Sequence, residues 1–522
     1  MIDYLIRNGS VADGSGSEPA ILNVGITGDF ICFIGQEEPA AQIVIDADGL
    51  VVAPGFIDTH SHSEFTLLAD GRAEGKLSQG VTTEINGNCG LSAAPLLGEA
   101  LERREADMKE FDIEERWSTF EEYFGILMQK GIAINFATLC GQGNIRASVM
   151  GYKNSPPTGS EMDDMKRLLS EALKAGAKGL STGLIYPPGV YSAPDEIAGL
   201  ASVLSERPGS LYASHMRSEG DGLIEAIEET LQIGKKSGAP VHISHIKTSG
   251  ENNWNKIDKA ISLIESARAE GLWTTCDRYP YIASSTDLDT VVPAWVYEGG
   301  VREELRRLTD PETRLAIRAD MEQRGDAFWQ SVYVSSTSKP ANRWMEGENI
   351  FDIAARLGRH PADAVLDIIV AEEARAGAIF FSMCEENLRR FLSLPYAMIG
   401  SDSSVRSFGG ATRSGKPHPR GFGSFPRFLG RYVRDEKLLT LPDAVRRITS
   451  LPAEIFGLQQ RGSIRKGFYA DLVIFDFASI KDSADFGAPF AMSRGISHVF
   501  VNGRISFSDG KFTDARAGRV LQ

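Results

Sequence analysis

The stretch Val51–His62, which reads VVAPGFIDTHSH, decides the fold because it is an apolar run that ends abruptly in polar residues. A nearly continuous apolar run is typical of a strand that is buried on both faces, as in a parallel sheet covered by helices. Side chains alternate between the faces of a strand, so His60 and His62 point to the same side. Two imidazoles placed in this way can chelate one metal ion. A bare His-x-His pair more often makes ordinary hydrogen bonds, but here a buried strand delivers the pair.

Seven further runs of this kind follow along the chain. With Val51–His60 as the first, the predicted strands are Val81–Asn86, Ala133–Leu139, Gly179–Thr182, Leu211–His215, Val241–His245, Thr274–Asp277 and Ala397–Asp402. Helical stripes separate several of them, such as Met165, Leu168, Leu169, Ala172 and Leu173. Eight strands that alternate with helices predict an α/β fold, a (β/α)8 TIM barrel whose chemistry lies at the carboxyl ends of the strands.

The two ends of the chain differ from this middle part. The stretch before about Val52 and the stretch after Gly462 both consist of short strand-like runs separated by turn residues. We therefore expect residues 1–53 and 462–522 to pair into a small β-sandwich domain, with the barrel over 54–461. The interval between the seventh and eighth strands is too long for one crossover. It predicts an insertion there, with a subdomain or lid at about 287–350.

The charge balance restricts the classes of partner. The chain has 55 Lys and Arg against 70 Asp and Glu, a net charge of −15. Nucleic acids and anionic membranes require clustered cations, so neither is an expected partner. We also expect no membrane span and no signal peptide, because no apolar run is long enough. The five cysteines are scattered and odd in number, which favours a reducing cytoplasm over a disulfide framework. The sequence leaves the oligomeric state open.

Further metal-ligating side chains stand at the predicted strand ends. Cys89 lies between turn glycines after the second strand, His215 and His245 end the fifth and sixth, and Asp402 ends the eighth. Each has an ordinary explanation alone, since a lone cysteine is usually a small apolar core residue. Together with the histidine pair they predict one metal site. A thiolate excludes an all-oxygen Mg²⁺ or Ca²⁺ site and favours Zn²⁺. His242 should face away from His245 and play a structural or supporting role.

Short motifs spread over nearly the whole chain make a resemblance specific. They are GFIDTHSH at 55–62, GNCG at 87–90, GLSTGLIYPPG at 179–189, SHMR at 214–217, HIK at 245–247, YPY at 279–281, GSD at 400–402, HPR at 418–420 and FPR at 425–427. In type and order they resemble the amidohydrolase superfamily. More narrowly, the chain resembles the D-aminoacylases, which are N-acyl-D-amino-acid deacylases.

The resemblance implies a reaction, a cofactor and a set of ligands. The reaction is hydrolysis of the amide bond of N-acyl-D-amino acids to a carboxylate and a free D-amino acid. The cofactor is one tightly bound Zn²⁺, with room for a second, weaker divalent metal. The tight site is formed by Cys89, His215 and His245, and the weaker one by His60 and His62, with Cys89 bridging and Asp402 nearby. Asp402 would be the catalytic residue that moves the proton.

The resemblance also implies residues that bind the substrate. Tyr279, Ser285 and Arg420 match positions that hold the α-carboxylate, a task that suits the planar guanidinium. Lys247 stands two residues beyond His245 and is expected in the same pocket. Tyr186 is a candidate donor to the oxyanion.

The stretch 286–295 contains no Lys or Arg. An enzyme for acidic D-amino acids would need a cation in its side-chain pocket, so this stretch favours substrates with neutral, apolar side chains.

Two other functions fit parts of the pattern. A cyclic-amide hydrolase of the dihydroorotase or hydantoinase kind is the first, but those enzymes bridge their metals with a carboxylated lysine, and Cys89 and Arg420 speak against it. A non-catalytic barrel that serves in assembly is the second. Loss of metal ligands is the usual sign of that role, and this chain keeps every expected ligand position.

Overall fold

The computed structural model describes residues 1–522. The strands are β1 (Ile2–Val11), β2 (Ala20–Thr27), β3 (Phe30–Gly35), β4 (Ala41–Asp46), β5 (Val51–Pro54), β6 (Phe56–Asp58), β7 (Val81–Asn86), β8 (Asn135–Thr138), β9 (Cys140–Gly141), β10 (Gly179–Gly183), β11 (Leu211–His215), β12 (Val241–Ile243), β13 (Thr274–Arg278), β14 (Ala283–Asp287), β15 (Val332–Ser336), β16 (Gly377–Phe381), β17 (Ala397–Ile399), β18 (Leu472–Phe475), β19 (Ile496–Val501), β20 (Arg504–Ser508) and β21 (Lys511–Phe512).

The α-helices are α1 (Thr66–Ala69), α2 (Glu74–Leu77), α3 (Gly98–Glu110), α4 (Phe120–Lys130), α5 (Gln142–Met150), α6 (Gly159–Ala175), α7 (Pro194–Ala201), α8 (Leu223–Ser237), α9 (Ile257–Ala269), α10 (Val301–Thr309), α11 (Pro311–Met321), α12 (Asp326–Gln330), α13 (Ile350–Leu357), α14 (Pro361–Ala371), α15 (Glu385–Ser393), α16 (Arg420–Arg427), α17 (Leu441–Arg447) and α18 (Ser450–Ile455). A π-helix over Phe428–Asp435 continues α16.

A barrel of parallel strands lies at the centre of the molecule. Its strands form two ladders, β17-β13-β12-β11-β10-β9 and β6-β7-β8. The ladders meet at Leu139, where the chain passes from β8 to β9, and at a parallel bridge between Ser61 and Ser403. The (β/α)8 architecture predicted from the sequence is confirmed. The carboxyl ends of all its strands therefore face one common mouth.

The first predicted strand is divided in two. The prediction of one strand over 51–60 is wrong in this detail, because β5 pairs with β1 and β18 while β6 pairs with β7. Gly55 stands between them, and a Cβ there would lie 2.2 Å from the Thr82 hydroxyl oxygen. No larger residue fits this close approach without displacing Thr82. One glycine thus moves the chain directly from one sheet into the other.

Both chain ends contribute to one sheet outside the barrel. It has nine strands, in which β1 to β5 come from the N-terminal part and β18 to β21 from the C-terminal part. Inside it pack Ile6, Val24, Val52, Leu472 and Phe500. The small β region built from both chain ends agrees with the sequence. The division into residues 1–53 plus 462–522 and 54–461 stays a prediction.

The chain between β13 and β17 forms a separate layer. Strands β14, β16 and β15 make an antiparallel sheet, with α10 to α14 in the same part of the chain. Its core of 22 buried residues, including Trp329, Val332 and Ile369, is distinct from the main core. We call residues 283–381 the insertion. The narrower lid limits of about 287–350 stay a prediction.

The main core joins the barrel to the terminal sheet. It contains 81 buried residues, and these include Val499 and Val501 of β19 together with helix residues such as Leu169 and Ile227. None of the helices combines the length and the apolar character that crossing a bilayer requires.

Candidate active site

A cavity of about 1260 Å³ opens at the carboxyl ends of the barrel strands and extends along the insertion. The cavity is lined by all the predicted metal ligands except His60. The predicted substrate-binding residues line it as well. The lining members are His62, Cys89, His215, His245, Asp402, Lys247, Tyr186, Tyr279, Ser285 and Arg420. His60 is completely buried just behind the wall.

Cys89 stands at the centre of two groups of potential metal ligands. One group contains His60, His62, Cys89 and Asp402, and the other contains Cys89, His215 and His245. Within each group the ligand atoms lie within 4.8 Å of one another. A single thiolate is therefore placed to serve both groups, as a bridging ligand would.

The distances around the thiol are short. The Cys89 Sγ atom lies 3.2 Å from Nε2 of His60 and 3.4 Å from Nε2 of His245. His62 Nε2 lies 3.2 Å from Oδ1 of Asp402. Burial alone would raise the pKa of the Cys89 thiol, but the charges of His60, His245 and His215 hold that pKa well below its usual range. The thiolate form, which is the form that binds metal, is favoured.

Three of these residues have an uncommon backbone conformation. Cys89, His245 and Asp402 have φ values of 55°, 35° and 52°, in the left-handed region. A non-glycine residue held there costs roughly 1–3 kcal/mol and persists only where its surroundings fix it. The backbone of Asp402 is fixed in part by its N–H group, which donates a hydrogen bond of 2.8 Å to the carbonyl of His60. The turn that follows each strand thus aims its side chain across the barrel mouth.

His215 tests whether the site fits a metal ion. Its side chain is buried, yet neither ring nitrogen has a hydrogen-bond partner. Buried polar atoms are almost always paired, so an orphaned imidazole beside a thiolate is best explained as a ligand. Imidazole nitrogens and a thiolate are the donors that Zn²⁺ prefers in proteins. The residues present therefore fit a zinc site.

Asp277 was not predicted as a functional residue. Its buried carboxylate contacts Nδ1 of His60 at 3.2 Å and Nε2 of His242 at 2.8 Å, and accepts the backbone N–H of His245 at 2.6 Å. Burial alone would raise the pKa of Asp277, but His60 and His242 lower it strongly. Asp277 therefore orients the ring of His60, whose other nitrogen, Nε2, faces the Cys89 thiol. Its position at the carboxyl end of the predicted strand Thr274–Asp277 could have marked it as a candidate functional residue.

Glu219 was missed as well. It accepts a hydrogen bond from Nζ of Lys247 and lies 2.9 Å from Nδ1 of His245. It stands four residues after His215 in the loop beyond β11, and no motif marks it. Lys247 therefore reaches the predicted pocket with its charge already paired.

A buried ion cluster ties the strands together below the ligands. Nζ of Lys76 lies 2.6 Å from Asp58 and 2.7 Å from Glu84, and donates to the Ser401 hydroxyl at 2.8 Å. We call Lys76, Asp58 and Glu84 the Lys76 cluster. It joins β6, β7 and the segment after β17, which carry His60, Cys89 and Asp402 on their far ends.

Arg420 connects the candidate proton carrier with the candidate carboxylate site. Its Nη1 lies 2.9 Å from Oδ2 of Asp402, and its Nη2 donates to the carbonyl of Ser285 at 3.1 Å. Its guanidinium stacks 4.6 Å from the ring centre of Tyr279, whose buried hydroxyl has no partner. Burial alone would raise the pKa of Asp402, but Arg420 and His62 hold it well below its usual range.

Tyr186 also lines the cavity, next to His215. Its ring packs edge-on against His215 with centroids 5.1 Å apart, and its hydroxyl is 2.8 Å from that of Thr286. The structure therefore brings all the predicted residues except the buried His60 to the lining of one cavity. It differs from expectation in that Lys247 and Arg420 each contact an internal carboxylate.

Comparison with known proteins agrees with this geometry. The amidohydrolase family model matches residues 43–507. D-aminoacylase of Alcaligenes xylosoxydans xylosoxydans is 36% identical over 99% of this chain and 97% of its own length. N-acyl-D-glutamate deacylase of the same organism is 38% identical over 100% of this chain and 96% of its own length.

Solved structures give the same result. A crystal structure of D-aminoacylase superposes with a TM-score of 0.84 at 35% identity, covering 100% of both chains. N-acyl-D-glutamate deacylase from Bordetella bronchiseptica, complexed with zinc and a phosphonate mimic of the tetrahedral intermediate, gives 0.85 at 35% identity over 100% of this chain and 99% of that one. The chain belongs to the amidohydrolase family and, within it, to the D-aminoacylase family.

Dihydropyrimidinase from Brevibacillus agri reaches a TM-score of 0.57 at 17% identity, which shows a shared fold alone.

Proposed function

We propose that the protein is a zinc-dependent deacylase that hydrolyses N-acyl-D-amino acids to a carboxylate and a free D-amino acid. The observation that carries the proposal is one thiolate, Cys89, shared by two groups of ligand atoms beside Asp402. Relatives named for this activity support it over the full length of the chain.

The ligands are proposed as two sets around this thiolate. Cys89, His215 and His245 would hold the tight zinc ion, and His60 and His62 would complete a weaker second position. Bound zinc supplies Lewis-acid polarisation of the amide carbonyl and lowers the pKa of water. Three protein ligands leave a position open, as catalytic rather than structural zinc sites do.

Asp402 is proposed to move the proton. Its carboxylate lies 3.2 Å from Nε2 of His62 and 3.6 Å from Nε2 of His60, and its oxygen belongs to the same group of potential ligand atoms as Cys89. It would accept a proton from the attacking water and deliver it to the amide nitrogen, which leaves only after protonation.

The α-carboxylate of the substrate is proposed to bind at Arg420, Tyr279 and Ser285. Arg420 already points between Asp402 and Ser285, and its planar fork suits a carboxylate. The unpaired hydroxyl of Tyr279 offers a donor beside it. Lys247 is proposed to assist from 5.9 Å beyond the Tyr279 ring centre, although Glu219 already pairs with its ammonium group. One guanidinium would then orient the substrate and the proton carrier together.

Tyr186 is proposed as a donor to the oxyanion. Its ring packs against the proposed ligand His215, and its hydroxyl would leave Thr286 to donate a hydrogen bond to the substrate oxygen.

We further propose that the enzyme acts on small molecules in a reducing cytoplasm, without nucleic-acid or membrane partners. Its five unpaired cysteines support that compartment.

A substrate screen with paired N-acetyl-D- and N-acetyl-L-amino acids tests the proposal. We expect turnover of the D-forms of Leu, Met or Phe, loss of turnover after chelation, and recovery on addition of Zn²⁺. Hydrolysis of a hydantoin without hydrolysis of any N-acetyl-D-amino acid would instead favour a cyclic-amide hydrolase. A protein that binds no zinc and hydrolyses nothing after zinc is added would favour the assembly role.

A further inference from the structure

Three carboxylates of the insertion meet on the outer wall of the catalytic cavity. Asp287 ends β14, Asp289 follows it, and Glu304 reaches in from α10. We call these three residues the acidic recess. Glu304 is the most informative of them, since its side chain is only 2% exposed and its Oε1 has no hydrogen-bond partner. A buried carboxylate oxygen without a partner is rare and requires an explanation.

The chain does not neutralise the acidic recess with an ion pair. None of its three carboxylates lies within 4.0 Å of a Lys, Arg or His nitrogen. Arg103 and Arg104 of α3 lie on the same cavity wall, but Arg104 pairs with Asp107 at 2.8 Å. Arg103 acts on all three carboxylates at longer range, and Arg104 acts more weakly on Asp287. No cation therefore forms an ion pair with these three carboxylates, and burial without such a partner disfavours their charged forms.

The titration of these groups agrees with an uncompensated charge. Burial raises the pKa of Glu304 to about 7, against a smaller lowering by Arg103 and with a still smaller increase from Asp287. Burial and the charges of Asp287 and Glu304 raise the pKa of Asp289 well above its usual range. A nearby cation would favour the ionised form of both groups.

The acidic recess lies at side-chain distance from the proposed carboxylate site. Ser285 and Asp287 alternate with Thr286 along β14, so they share a face and lie about 6–7 Å apart. Ser285, Thr286 and Asp287 all line the catalytic cavity, so this strand lies beside the reacting centre. A substrate held by its α-carboxylate at Ser285 can thus extend a long side chain toward Asp287.

We propose that the acidic recess binds the cationic end of the substrate side chain, so that N-acyl-D-amino acids with a basic side chain of lysine or arginine type are preferred substrates. The inference rests on the proposed deacylase function and names its substrate class. It revises the expectation of a wholly apolar side chain. A lysine has a flexible four-carbon stem that suits a neutral passage, and it carries a compact ammonium at its end.

Other occupants fit less well. An acidic side chain would meet Arg103 but also three carboxylates. A calcium ion takes six to eight oxygen ligands, whereas the recess offers three carboxylates with a guanidinium nearby.

The test compares N-acetyl-D-lysine with N-acetyl-D-norleucine, which has the same stem without the charge. We expect kcat/KM for the lysine substrate to exceed that for norleucine about tenfold or more. Glu304→Gln and Asp289→Asn should each bring this ratio toward one. Glu303→Gln is the matched control, because it removes a charge one residue away where the carboxylate pairs with Arg306 at 2.8 Å. N-acetyl-D-methionine reports whether each variant is folded and active.

Binding gives a second measurement that needs no turnover. In the Asp402→Asn background, calorimetry should show tighter binding of N-acetyl-D-lysine than of N-acetyl-D-norleucine, and Glu304→Gln should remove the difference.

The outcomes separate this inference from the proposed function. Turnover of methionine and norleucine substrates with an equal or lower rate for lysine overturns the inference and leaves the deacylase function intact. A preference for N-acetyl-D-glutamate, or a lysine preference that Glu304→Gln leaves unchanged, also overturns it. Loss of the lysine preference on adding millimolar Ca²⁺, with methionine turnover unchanged, would assign the recess to a metal ion instead. If no N-acetyl-D-amino acid is hydrolysed, the function and this inference fail together.

Discussion

The barrel and the insertion differ in how they treat their carboxylates. In the barrel, Asp58 and Glu84 contact Lys76, Asp277 contacts two histidines, and Asp402 contacts Arg420. In the insertion, the acidic recess has no ion-pair partner closer than 4.0 Å. Charges that the fold neutralises set geometry, since each one fixes where its partner lies. Charges that the fold leaves uncompensated create a potential that a ligand can use.

The largest effect is expected at the barrel carboxylate that contacts both a ligand and a cation. Asp402→Asn keeps the size of the side chain but cannot accept a proton. We expect kcat to fall about 10³-fold or more, because general acid–base catalysis is lost. Zinc content should persist, since Cys89, His215 and His245 remain. Steady-state kinetics with metal analysis measure both quantities, and near-normal turnover would remove Asp402 from its proposed role.

The next effect concerns stability and the Lys76 cluster. Lys76→Met leaves Asp58 and Glu84 buried without their cation, so the free energy of unfolding should fall by roughly 3–5 kcal/mol. Denaturant unfolding measures the change. Lys259→Met on the exposed face of α9 is the control and should have little effect. An unchanged midpoint for Lys76→Met would show that the barrel does not depend on this pairing.

A smaller effect is expected at Asp277, which acts on the metal site through its neighbours. Asp277→Asn weakens the hold on His60 and His242, and zinc affinity should drop about 10–100-fold. Competition with a chromogenic chelator measures that affinity. Asp258→Asn removes an exposed carboxylate that pairs with Arg390 and does not line the cavity, and it should leave zinc binding unchanged. An equal loss in both variants would point to a general effect of charge.

The smallest effect concerns the insertion and the pH dependence of stability that Glu304 causes. Glu304 has a pKa of about 7 in the folded protein against 4.5 for an ordinary glutamate, so the folded state holds its proton more tightly than the unfolded state. Its contribution to stability is complete below about pH 4.5 and is lost as pH rises through 7.

Without substrate, Glu304→Gln should therefore stabilise the protein at pH 8 by roughly 1–3 kcal/mol and have less effect at pH 5. Thermal unfolding over that pH range, with Glu303→Gln as the control, measures the difference. Destabilisation at pH 8 would mean that the carboxylate has a partner after all.

The barrel, and the gathering of the candidate ligands at its mouth, could be predicted from the sequence for a physical reason. Parallel strands place their carboxyl ends at one mouth, so His60, Cys89, His215, His245 and Asp402 needed only correct strand assignments to be gathered together. The exact strand ends were less predictable. Strand β12 ends at Ile243, two residues before His245. His245 itself has a left-handed backbone conformation, which a strand pattern does not predict.

The supporting residues were harder to predict because their partners are distant in the sequence. Asp277 lies 217 residues from His60, and no local pattern records that contact. The acidic recess shows the same limit. The absence of Lys and Arg from 286–295 indicated a neutral pocket, whereas Glu304 enters that pocket from a helix outside the stretch.

The break at Gly55 has a consequence for how the protein unfolds. A single residue separates β5 of the terminal sheet from β6 of the barrel, and both regions share the core of 81 buried residues. Local unfolding of β5 in the terminal sheet would therefore disturb β6, the strand that leads to His60. The two regions should therefore melt in one cooperative transition, together with the strand that presents the first ligand pair. The insertion, with its separate core of 22 residues, is the part of the molecule that can open first.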